Sequence, residues 1–213
     1  MKTYHYIAIV LGFASCVVGA EQRCNTAQII FKFPKTPLNA TEQASIEHML
    51  AIEKLFQDVY TQLTQKWQQL DTIPQSEQRH TQAVEALLSR YQLANPYAQQ
   101  PSGNFADETL AQLYREWSQQ GQRSWVEALK VAALIEEKDI ADLEQALANE
   151  QIDNFDVQFV YKQLAKASRN HLRKLVSTLK AQDVDYQPQY LSAERFQSII
   201  AAQPERHLYE DVS

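Results

Sequence analysis

Four segments of this chain have apolar stripes at helical spacing, and each stripe is interrupted near its middle by ionisable or polar residues. The stripes emerge when residues 46–67, 73–91, 129–146 and 157–178 are read in steps of three and four. A stripe of that period predicts an α-helix with one face turned to a core. The interrupting residues are Glu53 in the first stripe, Glu77 and His80 in the second, Glu136 and Asp139 in the third, and Ser168 and His171 in the fourth.

These interruptions have a chemical consequence if the four helices pack together. A lone carboxylate in an apolar core costs several kcal/mol, and nearby like charges add to that cost. Carboxylates and imidazoles at one level of a core must therefore be protonated, hydrated or bound to cations, and this ligand mixture suits iron, manganese or zinc. Glu77 and His80 also have the Glu-x-x-His spacing that directs both side chains to one metal centre in carboxylate-bridged bundles. The predicted metal ligands are Glu53, Glu77, His80, Glu136, Asp139 and His171.

Composition agrees with a compact, mostly helical protein and excludes other classes. Among 213 residues, 45% are hydrophobic and 22% are charged, which excludes wholesale disorder. Only four glycines are present, too few for the many turns of a β-sandwich or barrel. The net charge of −6 and the lack of a basic patch exclude sequence-independent binding to nucleic acid. Two cysteines cannot build a disulfide framework.

The chain is expected to begin with a secretory signal peptide over residues 1–20. Lys2 precedes an apolar run over residues 6–18, and the small residues Gly19 and Ala20 favour cleavage after Ala20. The mature protein would then be periplasmic or secreted, with no stable membrane span. A retained anchor and a lipoprotein attached through Cys16 are less favoured alternatives. Cleavage would leave Cys24 alone, without an intramolecular disulfide.

Caps and breakers predict the order of elements in the mature chain. A strap over residues 21–38, with a β-like patch at 29–33, leads into a helical domain over residues 39–202, and a charged tail over 203–213 follows. Asn39 and Glu42 are placed as a capping box, Asp107 and Ser192 as N-caps, and residues 95–104 as a loop. The predicted helices cover about 39–67, 73–91, 107–121, 124–149, 156–182 and 193–202.

Five blocks of sequence resemble an uncharacterised bacterial family of the ferritin-like superfamily. They are EKLFQDVY at 53–60, SEQRH at 76–80, IEEKDIADL at 135–143, SRNHL at 168–172 and PQYL at 188–191. The resemblance covers about residues 42–202. As in rubrerythrins, it implies an all-α fold: a ferritin-like antiparallel four-helix bundle with a long crossover after the second helix and a short C-terminal helix. It also implies a mononuclear or dinuclear iron centre, with manganese or zinc as alternatives.

The resemblance assigns roles to individual residues. Glu53 matches the glutamate of the first helix, with Tyr60 as a supporting group beside the metal ligands. Glu77 and His80 match the pair of the second helix, and Glu136, Asp139 and His171 match ligands of the third and fourth. Ser168 stands where a rubrerythrin has a bridging glutamate, which leaves open whether one, two or no metals bind. Two functions follow: iron oxidation or oxygen and peroxide handling, or a non-catalytic metal-binding or interaction module with a degenerate di-iron site. A hydrogen-bonded polar network and a homo-oligomer also stay open.

Two expectations concern packing. Glu53 and Glu77 reach the same level only if residues 68–73 run back, extended, along the bundle. The pattern also places other residues at the surface or in packing contacts. Solvated helix faces are expected for Glu137, Lys138 and Asp142, an exposed site for His48, and packing contacts for Trp67, Trp117 and Trp125.

Overall fold

The computed structural model describes residues 26–70 and 72–205, and all regular structure in this part of the chain is helical, which confirms the all-α prediction. The predicted signal peptide, Cys16, Cys24 and tail residues 206–213 lie outside the described residues. Single-turn 3-10 helices lie at Ile30–Lys32 and Gln68–Leu70. The α-helices are α1 (Thr26–Ile29), α2 (Ala40–Thr64), α3 (Thr72–Tyr91), α4 (Glu108–Gly121), α5 (Trp125–Leu147), α6 (Phe155–Lys180) and α7 (Ala193–Ala201).

The helix starts follow the predicted caps. The Asn39 side chain accepts a hydrogen bond from the backbone N–H of Glu42, and the Glu42 carboxylate accepts one from Asn39, so the capping box forms. The side chains of Asp107 and Ser192 cap α4 and α7 by accepting hydrogen bonds from the backbone N–H groups of Thr109 and Arg195. The helix ends differ more, since the first helix was predicted to reach residue 67 and α2 ends at Thr64.

The β-like patch predicted at residues 29–33 is wrong. These residues form the end of α1 and the following 3-10 turn. The physical reason is that no strand is present among the described residues to supply backbone partners, so the local chain satisfies itself by helical turns. The side chains of Ile29 and Ile30 in these turns are buried, and Ile30 packs against the core.

The core is made by the four long helices. Helix α2 packs against α3, α5 packs against α6, and the two pairs meet through α2–α5 and α3–α6 contacts. Helix α4, in the connection between α3 and α5, lies against both α2 and α5. Trp117 of α4 stacks on Phe56 with ring centroids 6.4 Å apart, and Trp67 lies 6.0 Å from Trp125, as the packing expectation required. None of the described helices is long and apolar enough to cross a membrane.

Two hydrophobic clusters divide this core. One contains Phe56 and Leu175, and the other contains Met49 and Leu164, among many others. All four long helices contribute to both clusters, and the boundary between the clusters falls at the polar midpoints of the stripes. The interruptions in the sequence pattern therefore form one polar layer across the interior.

The connection between α2 and α3 brings their polar residues level without an extended segment. Residues Gln68–Leu70 form a 3-10 turn, so the extended return that was the condition for Glu53 and Glu77 to be level does not form. Because α2 ends at Thr64 and α3 starts at Thr72, Glu53 lies eleven residues before the end of its helix and His80 eight residues after the start of its own. Glu53 and His80 are therefore at similar distances from the connection between the two helices, and their side chains face each other.

Candidate metal centre

The structure brings all six predicted ligands to the polar layer. Five of them are almost fully buried, with Glu53 completely inaccessible and His80 5% exposed. The sixth, His171, is the most accessible, with 19% of its side chain exposed. The layer thus places four carboxylates and two imidazoles away from bulk water.

The six side chains sort into two sets of three. The first cluster comprises Glu53 of α2, His80 of α3 and Asp139 of α5. The second cluster comprises Glu77 of α3, Glu136 of α5 and His171 of α6. Within each cluster, one ligand atom from every residue lies within 4.8 Å of the others. Each cluster offers two carboxylates and one imidazole.

Helical spacing explains why α3 and α5 each contribute a ligand to both clusters. Glu77 and His80 are three residues apart on α3, as are Glu136 and Asp139 on α5, so each pair projects from one helix face about a turn apart. One member of each pair enters the first cluster and the other enters the second. Glu77 Oε1 lies 3.6 Å from His80 Nδ1 and 3.7 Å from His171 Nδ1, so this oxygen stands between the two clusters.

Many polar atoms in the layer lack a hydrogen-bond partner among the described residues. Both carboxylate oxygens of Glu53 and both ring nitrogens of His80 are in this state, as are Glu77 Oε1, Asp139 Oδ1 and His171 Nδ1. Buried polar atoms are normally paired, and leaving one unpaired is costly. Cations bound between these atoms would satisfy them, and the carboxylate and imidazole donors suit iron, manganese or zinc. The residues present therefore fit a metal centre.

Burial and mutual repulsion shift the acid–base equilibria of the carboxyls in the first cluster. Burial raises the pKa of Glu53 well above its usual value, and the charges of Asp139, Glu77 and Glu136 raise it further. Burial likewise raises the pKa of Asp139 to about 7, although the His80 charge opposes the shift. Without a cation, this cluster therefore favours protonated carboxyls.

The second cluster behaves as a mixed set of acid and base. Burial works to lower the pKa of His171, but the Glu136 carboxylate outweighs it and raises that pKa to about 9. Burial works to raise the pKa of Glu77, but the charges of His80 and His171 outweigh it and lower that pKa. Protons thus partly fill the role that a metal ion would take.

Two buried hydroxyls support one carboxylate in each cluster. The Tyr60 hydroxyl donates to Glu136 Oε1 at 2.7 Å, so this residue lies beside the site as the resemblance implied. The Ser168 hydroxyl donates to Asp139 Oδ2 at 2.5 Å. Sequence reasoning treated Ser168 only as a missing glutamate. The sequence did offer a signal for this contact. Asp139 is an additional carboxylate on the facing helix, and a buried carboxylate needs a hydrogen-bond donor such as the Ser168 hydroxyl.

Glu137, expected on a solvated face, is fully buried. Its carboxylate accepts hydrogen bonds from the Tyr186 hydroxyl at 2.7 Å and from the backbone N–H groups of Gln189, Tyr190 and Leu191. The expectation fails because the segment after α6 folds back over this side of α5, which helical periodicity could not reveal. Lys138 and Asp142 pair with each other at 2.9 Å and are partly buried. His48 is exposed, as expected.

Comparison with known proteins gives relatives without an assigned activity. The chain is 40% identical over 181 residues to the uncharacterized protein MJ0754 of Methanocaldococcus jannaschii, covering 84% of this chain and 97% of that protein. It also matches the crystal structure of hypothetical protein MJ0754 from Methanococcus jannaschii with a TM-score of 0.77, covering 81% of this chain and 99% of the other. The family model of an uncharacterized protein domain, DUF2202, matches residues 42–203. The chain therefore belongs to the DUF2202 family.

Proposed function

We propose that this chain is a ferritin-like metal-binding protein that holds two iron ions and acts in iron oxidation or in the handling of oxygen or peroxide. In this proposal the four long helices form the antiparallel bundle typical of that superfamily. The observation that carries the proposal is the division of six buried ligands into two sets of three, each with two carboxylates and one imidazole.

Formal charge supports a pair of ions. The four carboxylates of the layer together carry the charge that two divalent cations neutralise, so a filled site would remove the repulsion that raises the pKa of Glu53. Glu77 would help to hold either ion, because its Oε1 lies 3.6 Å from His80 Nδ1 and 3.7 Å from His171 Nδ1. Manganese or zinc would satisfy the same ligands.

The chain's own residues bind the ions and keep water away. Bound iron would supply the electrons for reduction of dioxygen or peroxide. The carboxylates would stabilise the more highly charged oxidised product, and the hydrophobic clusters on both sides of the layer limit access. The two cysteines of the sequence are too few for a rubredoxin-like iron site, so electrons would come from the iron itself or from a separate donor.

Ser168 favours a second candidate function. With a hydroxyl in place of a second bridging carboxylate, the centre could hold metal without turning over oxygen, as a non-catalytic binding module. The two functions differ in oxygen consumption after anaerobic loading with Fe(II). Rapid uptake supports redox chemistry, and bound Fe(II) that persists in air supports the binding module.

Metal analysis of the purified protein tests the binding that both candidates require. We expect close to two metal ions per chain after anaerobic incubation with Fe(II) and removal of excess ion. His80→Ala should lower that number, whereas His48→Ala, on the exposed side of α2, should leave it unchanged. Failure of the wild-type protein to retain iron, manganese or zinc would refute the proposal.

Export is part of the same proposal and has its own test. Mass spectrometry of the protein from its native host should find Glu21 at the N-terminus, as cleavage after Ala20 requires. A lipidated Cys16 would instead establish the lipoprotein alternative, and an intact Met1 in the cytoplasm would contradict export.

A further inference from the structure

The two helix pairs present nearly the same ligand pattern, with one carboxylate displaced. On α3 and α6, a histidine follows a polar residue by three positions, Glu77 before His80 and Ser168 before His171. On α2 and α5, the corresponding glutamates are Glu53 and Glu136. The residue three positions after the glutamate is Phe56 on α2 but Asp139 on α5. Helix α6 thus has Ser168 where a carboxylate is expected, and α5 has an additional carboxylate, Asp139.

Ser168 and Asp139 are in direct contact inside the polar layer. The hydroxyl donates to Asp139 Oδ2 at 2.5 Å and also lies 3.1 Å from the backbone carbonyl of Leu164. Ser168 is fully buried and Asp139 is 1% exposed. The contact occupies one carboxylate oxygen, whereas Asp139 Oδ1 keeps no hydrogen-bond partner among the described residues. One oxygen is anchored, and the other is available to the first cluster.

Tyr60 holds a carboxylate of the second cluster, but through the oxygen that also faces the imidazole, since Glu136 Oε1 lies 3.3 Å from His171 Nδ1. The Tyr60 hydroxyl donates to Glu136 Oε1 at 2.7 Å, and it is also within 3.2 Å of the backbone carbonyl of Ala132. Each cluster therefore has one carboxylate held by one buried hydroxyl, and the two hydroxyls come from different helices. Groups that hydrogen-bond a metal ligand typically change metal affinity by about 10–100-fold.

We propose that Ser168 is a positioning residue that fixes the Asp139 carboxylate for the metal ion of the first cluster, while Tyr60 does so for Glu136 and the second. Each hydroxyl then acts mainly on the affinity of its own cluster. This inference rests on the proposed metal centre and adds a role for the residue that replaces the expected bridging glutamate.

The test measures each cluster alone with Co(II), whose visible spectrum and binding isotherm report coordination directly. His171→Ala disables the second cluster, and in that background Ser168→Ala should weaken Co(II) binding by about 10–100-fold. Ser168→Thr keeps the hydroxyl and should restore most of the affinity. In a His80→Ala background, which disables the first cluster, Ser168→Ala should have little effect, whereas Tyr60→Phe should weaken binding.

The outcomes separate this inference from the proposed function. If the wild-type protein binds no Co(II), Fe(II), Mn(II) or Zn(II), both fail. If it binds two ions but Ser168→Ala has no effect in the His171→Ala background, or weakens both clusters equally, only the positioning role fails. Circular dichroism of every metal-free variant checks the fold, and Ser168→Gly, which also removes the hydroxyl and adds no metal ligand, replaces Ser168→Ala if the latter does not fold.

Discussion

His80 Nδ1 lies 3.7 Å from Glu53 Oε2, in the interior and beyond hydrogen-bonding distance. Neither side chain has a hydrogen-bond partner among the described residues. Bonds of about 2.1 Å from a tetrahedral cation to nitrogen and oxygen would hold the two ligand atoms roughly 3.4 Å apart. Only a small contraction would therefore give coordination geometry. A hydrogen bond would require a larger movement and would leave the second Glu53 oxygen unpaired.

Metal binding is expected to stabilise the fold. Cations relieve the repulsion among the four carboxylates, and a ligand that binds only the folded state adds about 2.7 kcal/mol at a hundred times its Kd. Calorimetric melting with Fe(II), Mn(II) or Zn(II) should therefore give a higher Tm than melting with chelator. Identical melting temperatures in all four conditions would contradict a metal centre.

The stabilisation should grow with pH. Burial raises the pKa of Asp139 to about 7, and the Glu136 charge, against the effect of burial, raises that of His171 to about 9. A raised folded-state pKa contributes stability that is present below the unfolded value and is lost as pH rises through the folded one. The metal-free protein should thus lose stability between about pH 4 and 7 through Asp139 and between about pH 6.5 and 9 through His171. Metal binding, which displaces these protons, should strengthen over the same range.

The measurement is the Tm of the zinc-loaded and metal-free proteins across that pH range. Their difference should widen, and the zinc Kd should fall by up to about tenfold per pH unit for each proton displaced. The exposed His48→Ala variant should follow the wild type. A Tm difference that stays constant from about pH 4 to 9 would show that Asp139 and His171 do not release protons on binding.

Glu53→Gln should separate stability from binding. The amide removes a carboxyl whose ionisation is opposed by burial and by Asp139, so the metal-free variant should be at least as stable as the wild type near pH 8. The same change removes a charged ligand and should abolish tight binding in the first cluster. Urea unfolding and metal titration measure the two effects, and Glu47→Gln on the exposed face of α2 is the matched control. A less stable metal-free variant that still binds metal normally would contradict the assignment.

Glu137→Gln should destabilise the fold without changing metal stoichiometry. The carboxylate accepts four hydrogen bonds that secure residues 186–191 against α5. The amide oxygen can keep the three backbone bonds of Oε1, but the amide N–H2 in place of Oε2 reverses the bond with the Tyr186 hydroxyl, and the negative charge that strengthens all four bonds is lost. The expected cost is about 1.5–3 kcal/mol. Glu150→Gln, in an exposed loop, should change the free energy of unfolding by less than about 0.5 kcal/mol. Equal effects of the two substitutions would show that the buried carboxylate is not needed.

Local sequence signals predicted the helices and the composition of the polar layer. The stripes with ionisable midpoints identified all six side chains that meet in the interior, because helical periodicity decides which residues share a face. The Asn39–Glu42 capping box was also predictable, since both partners lie within one turn. The resemblance to a family was stated for about residues 42–202, and the DUF2202 model matches nearly the same range, residues 42–203.

Pairings across helices were decided by tertiary structure alone. That Glu53 meets His80, that Ser168 holds Asp139, and that Glu137 is covered by residues 186–191 all depend on the rotation and level of packed helices and on the path of their connections. Sequence periodicity specifies the face that a residue occupies, but it does not specify the residue that lies opposite. The sequence by itself therefore determined that acids and imidazoles would share a core, and packing decided their division into two clusters, because each contact joins residues far apart in the chain.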